Sequence, residues 1–233
     1  MTSTTFLVDS DLHFTNQIRS YKKNHVEKII NLCQNENINA LICPGDLTNN
    51  GWNGANMCGW YYGGKQDQLT PLKEQYVKPL EYYLPVYLCA GNHDYYVPRP
   101  YIVHPVLKYI REKHGSQRYS FDITDLHFIC LDRYPDKESM KFLKRDLSEH
   151  QNKNIIIFFH YNFTGEMSDW WSNKTKDKFY DAIQGYNIVA LLVGHHHISI
   201  YTQWRGYKVI MGAAGAFAKC TYKDGDLKVE FIS

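Results

Sequence analysis

Two kinds of hydrophobic run alternate along the chain. Phe6-Leu7-Val8, Leu41-Ile42-Cys43, Val86-Tyr87-Leu88-Cys89-Ala90, Ile155 to Phe159 and Val189 to Val193 are short and almost continuously apolar. Their length and β-prone content predict strands buried on both faces. Between them apolar residues recur at helical spacing. Val26, Ile29, Ile30 and Cys33 predict a helix over 24–35. Leu69, Leu72, Tyr76, Leu80 and Tyr83 predict another, with Pro71 acceptable near its start and Pro85 ending it. Val106 to Lys113 forms a short helix stopped by Gly115, and Met140, Leu143 and Leu147, then Phe179 and Ile183, mark two more. Tyr119 to Ile123 and His127 to Leu131 pair around Thr124-Asp125. From Ile198 onward the chain reads as strand only, turning at Arg205-Gly206 and Asp224-Gly225. Early βαβ units and a late meander predict an α/β fold of two packed sheets with helices outside.

Five of these buried runs end in chemistry. Phe6 to Val8 leads to Asp11 and His13, and Leu41 to Cys43 leads to Gly45-Asp46. Val86 to Ala90 breaks into Gly91-Asn92-His93-Asp94, where Gly91 is expected to make the sharp turn through a positive φ. Ile155 to Phe159 leads to His160, and Val189 to Val193 leads to Gly194-His195-His196-His197. Each motif alone is common. Asp9 lies close enough to Asp11 to compete for its role, Asn-His-Asp suits an ordinary turn, and three histidines suit a surface. All five at the carboxyl ends of strands, where α/β sheets hold their ligands, predict one polynuclear metal site.

In this order Asp11-x-His13, Gly45-Asp46, Gly91-Asn92-His93-Asp94, His160 and Gly194-His195-x-His197 resemble the calcineurin-like metallophosphoesterase superfamily. The resemblance implies a four-layer αββα sandwich of two mixed β-sheets flanked by helices, as one domain over 1–233. It implies two metal ions, the first held by Asp11, His13, Asp46 and His197, the second by Asp46, Asn92, His160 and His195. His93 would face a phosphoester substrate as proton donor, oriented by Asp94, while metal-bound hydroxide attacks phosphorus. Two dications about 3.5–4 Å apart require a bridging anion such as Asp46. With only two carboxylates among the ligands, the pair keeps excess positive charge that would draw a phosphate. The mixed nitrogen and oxygen donors suit Mn, Fe, Co, Ni or Zn better than Ca or Mg. The other reading on the same fold is a non-catalytic, metal-binding interaction scaffold, which would have no use for His93.

Departures narrow the resemblance. Leu47-Thr48-Asn49-Asn50-Gly51 replaces the Asp-Arg-Gly of the phosphoprotein phosphatases, and Asp94 stands where they have Glu. Asn49 stands where purple acid phosphatases have a tyrosine ligand. The chain is more similar to small bacterial phosphoesterases, including class III cyclic-nucleotide phosphodiesterases. Both monoester and diester substrates stay open.

A glycine- and aromatic-rich insertion at about 51–68 contains Trp52, Trp60, Tyr61 and Tyr62, and Tyr161, Trp170 and Trp171 follow another ligand motif. These aromatics suit either a compact loop packed on itself or a wall that stacks on a base, sugar or flat leaving group. His196 falls outside the ligand pattern, and His25, His104, His114, His127 and His150 have no motif context.

The 233 residues suit one domain, and 44% apolar content can fill a core. A formal charge of +2 with no Lys/Arg block argues against a nucleic-acid face. No signal-peptide pattern opens the sequence, no apolar run nears the roughly 20 residues of a membrane helix, and the six scattered cysteines form no C-x-x-C pair. The expectation is a cytoplasmic protein with reduced thiols and a small-molecule partner.

Overall fold

The computed structural model describes residues 3–15, 20–49, 67–95, 104–165, 170–213 and 215–233. Eleven strands are formed among them, in two mixed sheets. The first is built from β1 (Thr4–Val8), β2 (Ala40–Cys43), β3 (Val86–Leu88), β10 (Phe217–Lys223) and β11 (Asp226–Ile232), in the order β11-β10-β1-β2-β3. The second holds β4 (Tyr119–Ile123), β5 (Leu126–Cys130), β6 (Asn154–Tyr161), β7 (Ile188–Gly194), β8 (Ile200–Trp204) and β9 (Tyr207–Met211), in the order β4-β5-β6-β7-β9-β8.

Strand periodicity separates three apolar layers. Phe6, Val8 and Ile42 point between the sheets and meet Phe128, Ile156, Phe158 and Leu192 from the other side. Phe6 and Phe128 close that layer edge to face, centroids 5.3 Å apart. The alternate residues Leu7, Leu41 and Leu88 point outward onto α1 (Ser20–Asn35), α2 (Leu69–Leu72), α3 (Lys78–Glu81) and α4 (Pro105–His114). On the opposite flank Ile129, Ile157 and Leu191 pack on α5 (Lys137–Glu149) and α6 (Asn173–Ile183). Each fully buried Leu, Ile or Phe contributes about 1.5–3 kcal/mol by transfer from water. Both faces of every central strand are covered, which explains why their sequences run apolar without alternation. The result is the four-layer αββα sandwich.

Two elements differ from their sequence reading. The helix expected from Leu69 to Tyr83 widens into a π-helical turn at Lys73–Val77 between α2 and α3. Pro79 explains it, since proline lacks an amide hydrogen and its ring collides with the carbonyl four residues earlier in a regular helix. The late strands do not form one continuous meander. β8 and β9 belong to the six-stranded sheet, whereas β10 and β11 extend the five-stranded one. The β9–β10 connection crosses between sheets over the end of β1, where Ser10 donates its amide to the Gly212 carbonyl at 2.7 Å. A Cβ at Gly212 would lie 2.3 Å from the Val8 carbonyl oxygen. The hairpin turns are as expected: Arg205-Gly206 and Asp224-Gly225 both take positive φ at two successive residues, the type I′ pattern.

β1, β2 and β3 run parallel in one sheet, and β5, β6, β7 and β9 run parallel in the other. Asp11, His13, Asp46, Asn92, His160, His195 and His197 cluster where β1, β2, β3, β6 and β7 end. No helix of the described residues is long and apolar enough to cross a membrane.

Candidate metal centre

Left-handed backbone is rare for non-glycine residues. Asp11, His13, Asp46, His195 and His197 all adopt it, with φ between 45° and 83°. Such conformations persist only where surrounding structure enforces them, and they concentrate at functional sites. The enforcement is visible here. Asp11 donates its amide to the Gly45 carbonyl and His13 to the Asp46 carbonyl, so the first two ligand loops are laced together. The His195 amide in turn donates to both Asp11 carboxylate oxygens, at 2.9 and 3.0 Å, tying in the loop after β7. His160 lies inside β6 at a register shift between Phe158 and Tyr161, and an irregularity of this kind re-aims a side chain.

Two overlapping groups of donors result. Asp11, His13, Asp46 and His197 place one ligand atom each within 4.8 Å of one another, and so do Asp46, His160 and His195. Asn92 joins the second group, its Oδ1 lying 2.9 Å from His160 Nε2. Asp46 is common to both. Its Oδ1 accepts the His93 amide at 2.8 Å and lies 3.3 Å from His160 Nε2. Its Oδ2 is buried without a hydrogen-bond partner, 3.7 Å from His13 Nε2 and 3.8 Å from His93 Nε2. An orphaned buried carboxylate oxygen is costly unless a cation completes it. His13 Nε2 and His197 Nε2 converge to 3.0 Å, as two lone pairs aimed at one cation would. His160 Nδ1 donates to the Pro44 carbonyl at 2.9 Å, leaving Nε2 as the inward ring atom. These residues fit a pair of metal ions.

Electrostatics agree. Burial pushes the His13 pKa down to about 3 and that of His195 to about 4, so both imidazoles are neutral, the form that ligates. Burial works against the Asp46 charge too, but His160, His93 and His13 hold its carboxyl well below the usual range. Burial would also lower His160, yet the Asp46 and Asp11 carboxylates raise it to about 9. The centre therefore attracts positive charge beside Asp46.

His93 sits next to this centre, nearly buried. Its Nδ1 lies 2.6 Å from the Asn49 main-chain carbonyl, which turns Nε2 toward Asp46 and the cavity. The Asp94 carboxylate goes to the main chain. Oδ1 accepts from the Thr48 amide and hydroxyl, and Oδ2 from the Leu47 and Gly91 amides, all at 2.8–3.1 Å. Burial and the neighbouring Asp46 charge still push its pKa up to about 7. Asp94 thus braces the loop after β2 against the loop after β3, and reaches His93 through that frame.

Gly91 corrects the sequence reading: its φ is not in the positive region. What demands glycine is approach, because a Cβ there would stand 2.1 Å from both the amide nitrogen and Oδ1 of Asp46. Gly45, at φ +97°, is the glycine that makes the turn.

A cavity of about 560 Å³ opens beside the centre, lined by Asp11, His13, His93, His195 and His197 at one end and by Asp9, Phe14, Lys22, His25 and Tyr76 at the other. Asp9 does not compete with Asp11. Its Oδ2 accepts from the Tyr76 hydroxyl at 2.5 Å and meets His25 Nε2 at 2.7 Å. Sequence reasoning gave His25 and Tyr76 no such task, and a His sixteen residues along an ordinary helix face carries no local signal. It also overlooked Asp132 and Arg133, whose carbonyls accept the His160 amide and set the β6 irregularity.

The aromatics divide. Trp171 is buried among Phe159, Phe163 and Phe179, its indole donating to the Tyr161 carbonyl at 3.1 Å. Trp170 is 60% exposed. Residues 51–66, with Trp52, Trp60, Tyr61 and Tyr62, lie outside the described residues. His127, Asp146 and His150 form a third group of donors, away from the centre. There both His127 ring nitrogens already face carboxylates, Asp122 and Asp146, each at 2.7 Å.

The calcineurin-like phosphoesterase profile matches residues 4–199. A probable cyclic nucleotide phosphodiesterase of Colwellia psychrerythraea is 25% identical over 201 residues, which are 82% of this chain and 66% of that relative's length. Among solved structures, a dimetal phosphatase from Danio rerio superposes with a TM-score of 0.72 at 12% identity, over 98% of this chain and 95% of the other. GAP50, the anchor in the inner membrane complex of Plasmodium, superposes with a TM-score of 0.70 at 14% identity, over 100% of this chain and 85% of the other. At these identities the superpositions speak for the fold, which serves both a phosphatase and an anchor. The profile decides the kinship: this chain belongs to the calcineurin-like phosphoesterase family.

Proposed function

We propose that this protein hydrolyses a phosphoester with two divalent transition-metal ions, one held by Asp11, His13, Asp46 and His197, the other by Asp46, Asn92, His160 and His195. The observation that carries the reading is Asp46, a buried carboxylate shared by both donor groups with one oxygen left without a partner. When bound, such a pair supplies Lewis acidity to the phosphoryl oxygens and lowers the pKa of water. The protein's own groups do the rest. Asp46 sets the spacing of the two donor groups, and the amide frame around Asp11 and Asp94 keeps that spacing rigid. His93, carrying a proton on each ring nitrogen with Nδ1–H donated to the Asn49 carbonyl, gives its Nε2 proton to the leaving oxygen as the ester bond breaks and is left as the neutral Nδ1–H imidazole. An interaction scaffold needs neither an oriented proton donor nor a cavity beside it, so the alternative gains nothing from these features.

The name of the Colwellia relative makes a phosphodiester the first substrate to try. The test is turnover of bis-p-nitrophenyl phosphate and p-nitrophenyl phosphate after reconstitution with Mn, Fe, Co, Ni or Zn. Metal-dependent release of p-nitrophenolate from either ester supports the reading. Stoichiometric metal with no turnover of either ester overturns it in favour of the scaffold.

A further inference from the structure

The two adjacent tryptophans after β6 have opposite fates. Trp171 fills the core between the second sheet and α6, so the fold has no need of its neighbour. Trp170 is nevertheless held in one orientation. Its ring stacks on Tyr161, centroids 5.2 Å apart and planes 13° from parallel, and stands edge to face against His195 at 5.8 Å. Tyr161 is itself buried, and its ring meets His195 edge to face at 4.8 Å. Among the described residues these two rings are the only aromatic partners of Trp170. One face of the indole is covered and the side chain remains 60% exposed. A large, immobilised aromatic surface is thus offered to solvent beside a residue of the second donor group. Leaving it bare exposes apolar area that burial would stabilise, and the ring stands over Tyr161 and against His195 instead of entering the core with Trp171.

We infer that Trp170 is a specificity-determining residue, a platform on which a planar aromatic ring of the phosphoester stacks while its phosphate occupies the metal centre. This rests on the function proposed above. The indole stands one ring-to-ring contact beyond His195, centroids 5.8 Å apart. A platform set back from the donors in this way suits a planar ring carried at a remove from its phosphate, which points to nucleotide-like phosphoesters. Stacking on an indole tolerates any base, because every base has a π-face.

The test compares two probes that differ only in the ring: non-hydrolysable phosphonate analogues of adenosine monophosphate and of ribose 5-phosphate. Binding to the metal-reconstituted protein is measured by calorimetry, alongside p-nitrophenyl ester turnover on the same samples. The wild-type protein is expected to bind the adenosine probe about tenfold more tightly or better, in line with one base–aromatic stack. Trp170→Ala should remove that advantage and leave the ribose probe within about twofold. Trp170→Phe should keep most of it, showing that a flat face is what matters. Equal binding of both probes by wild type, or an adenosine advantage that survives Trp170→Ala, overturns the inference even where turnover is intact. Absence of turnover with the adenosine advantage present counts against the hydrolytic reading and leaves the platform standing.

Discussion

The main-chain carbonyl of Asn49 lies 2.6 Å from Nδ1 of His93. A carbonyl can only accept, so this contact assigns a proton to Nδ1 and turns Nε2 toward Asp46 and the cavity, where the proposed mechanism needs its proton donor. It also makes the orientation of the His93 ring depend on the loop after β2, the strand that pairs with β3 and whose loop carries Asp46.

Removing that donor should matter in proportion to the leaving group's need for a proton. His93→Ala is expected to lower kcat/KM by about 10²–10⁴-fold for alkyl phosphoesters. For p-nitrophenyl esters, which release a stable anion, the loss should be much smaller. Kinetics over a series of aryl and alkyl esters, with metal measured on the same samples, checks both points. A loss that is flat across the series would assign His93 another task, and metal falling in step would make it a ligand.

Asp94 should behave differently, because its carboxylate receives four donors from Leu47, Thr48 and Gly91. Asp94→Asn replaces one acceptor oxygen with an amide nitrogen, and leaves two buried donors facing it. Each unsatisfied donor costs about 1–3 kcal/mol. The expected outcome is a lower denaturation midpoint and a loss of kcat/KM of similar size for every leaving group. A leaving-group dependence parallel to that of His93→Ala would mean that Asp94 acts on the imidazole directly.

Metal counts test the shared carboxylate. Asp46→Ala should lose both ions, whereas Asp11→Ala should mainly weaken one site. Gly91→Ala should resemble Asp46→Ala, since the new Cβ would collide with the Asp46 amide and carboxylate. Elemental analysis of the purified variants decides this; two ions retained in Asp46→Ala would rule out a bridge.

A pH-dependent contribution to stability is expected far from the centre, at His127. Burial alone would lower its pKa, but Asp146 and Asp122 raise it above 6.5. Burial would raise Asp146, but His127, Ser120 and His150 hold it below 3.8. The sign follows from linkage. The raised histidine stabilises the fold fully below pH 6.5 and loses that contribution as pH climbs through its folded value. The depressed Asp146 stabilises above pH 3.8 and loses its contribution as pH falls through its own. The pair therefore helps most between these limits. At pH 5–6 His127→Gln should cost on the order of 3 kcal/mol, as breaking a buried ion pair does. The cost should shrink toward pH 9, and urea denaturation at a series of pH values measures it. A cost independent of pH would identify packing as the cause.

Much of this architecture was legible in the linear pattern. Apolar runs without alternation, such as Ile155 to Phe159, announced strands covered on both faces, because only a sheet buried between layers tolerates them. The donor motifs were legible for a related reason: each lies at or just past the carboxyl end of its strand, so strand direction carries them to one end of the two sheets. Which of the side chains presented there form the set Asp11, His13, Asp46, Asn92, His160, His195 and His197 came from the family resemblance and not from strand direction. What tertiary structure alone decided were relations between residues remote in sequence. Asp9 was drawn away from Asp11 by His25 and Tyr76, which approach it from two different helical segments. Gly91 is required by the body of Asp46 and not by its own dihedral angle, a steric fact that exists only once β2 and β3 pair. Trp170 and Trp171 are identical in composition, and a single residue of offset just before α6 sends one indole into the core and the other to the side of His195. Local sequence specifies which residues a strand end will present. Which of them meet depends on packing between elements, where a shift of one position reverses inside and outside.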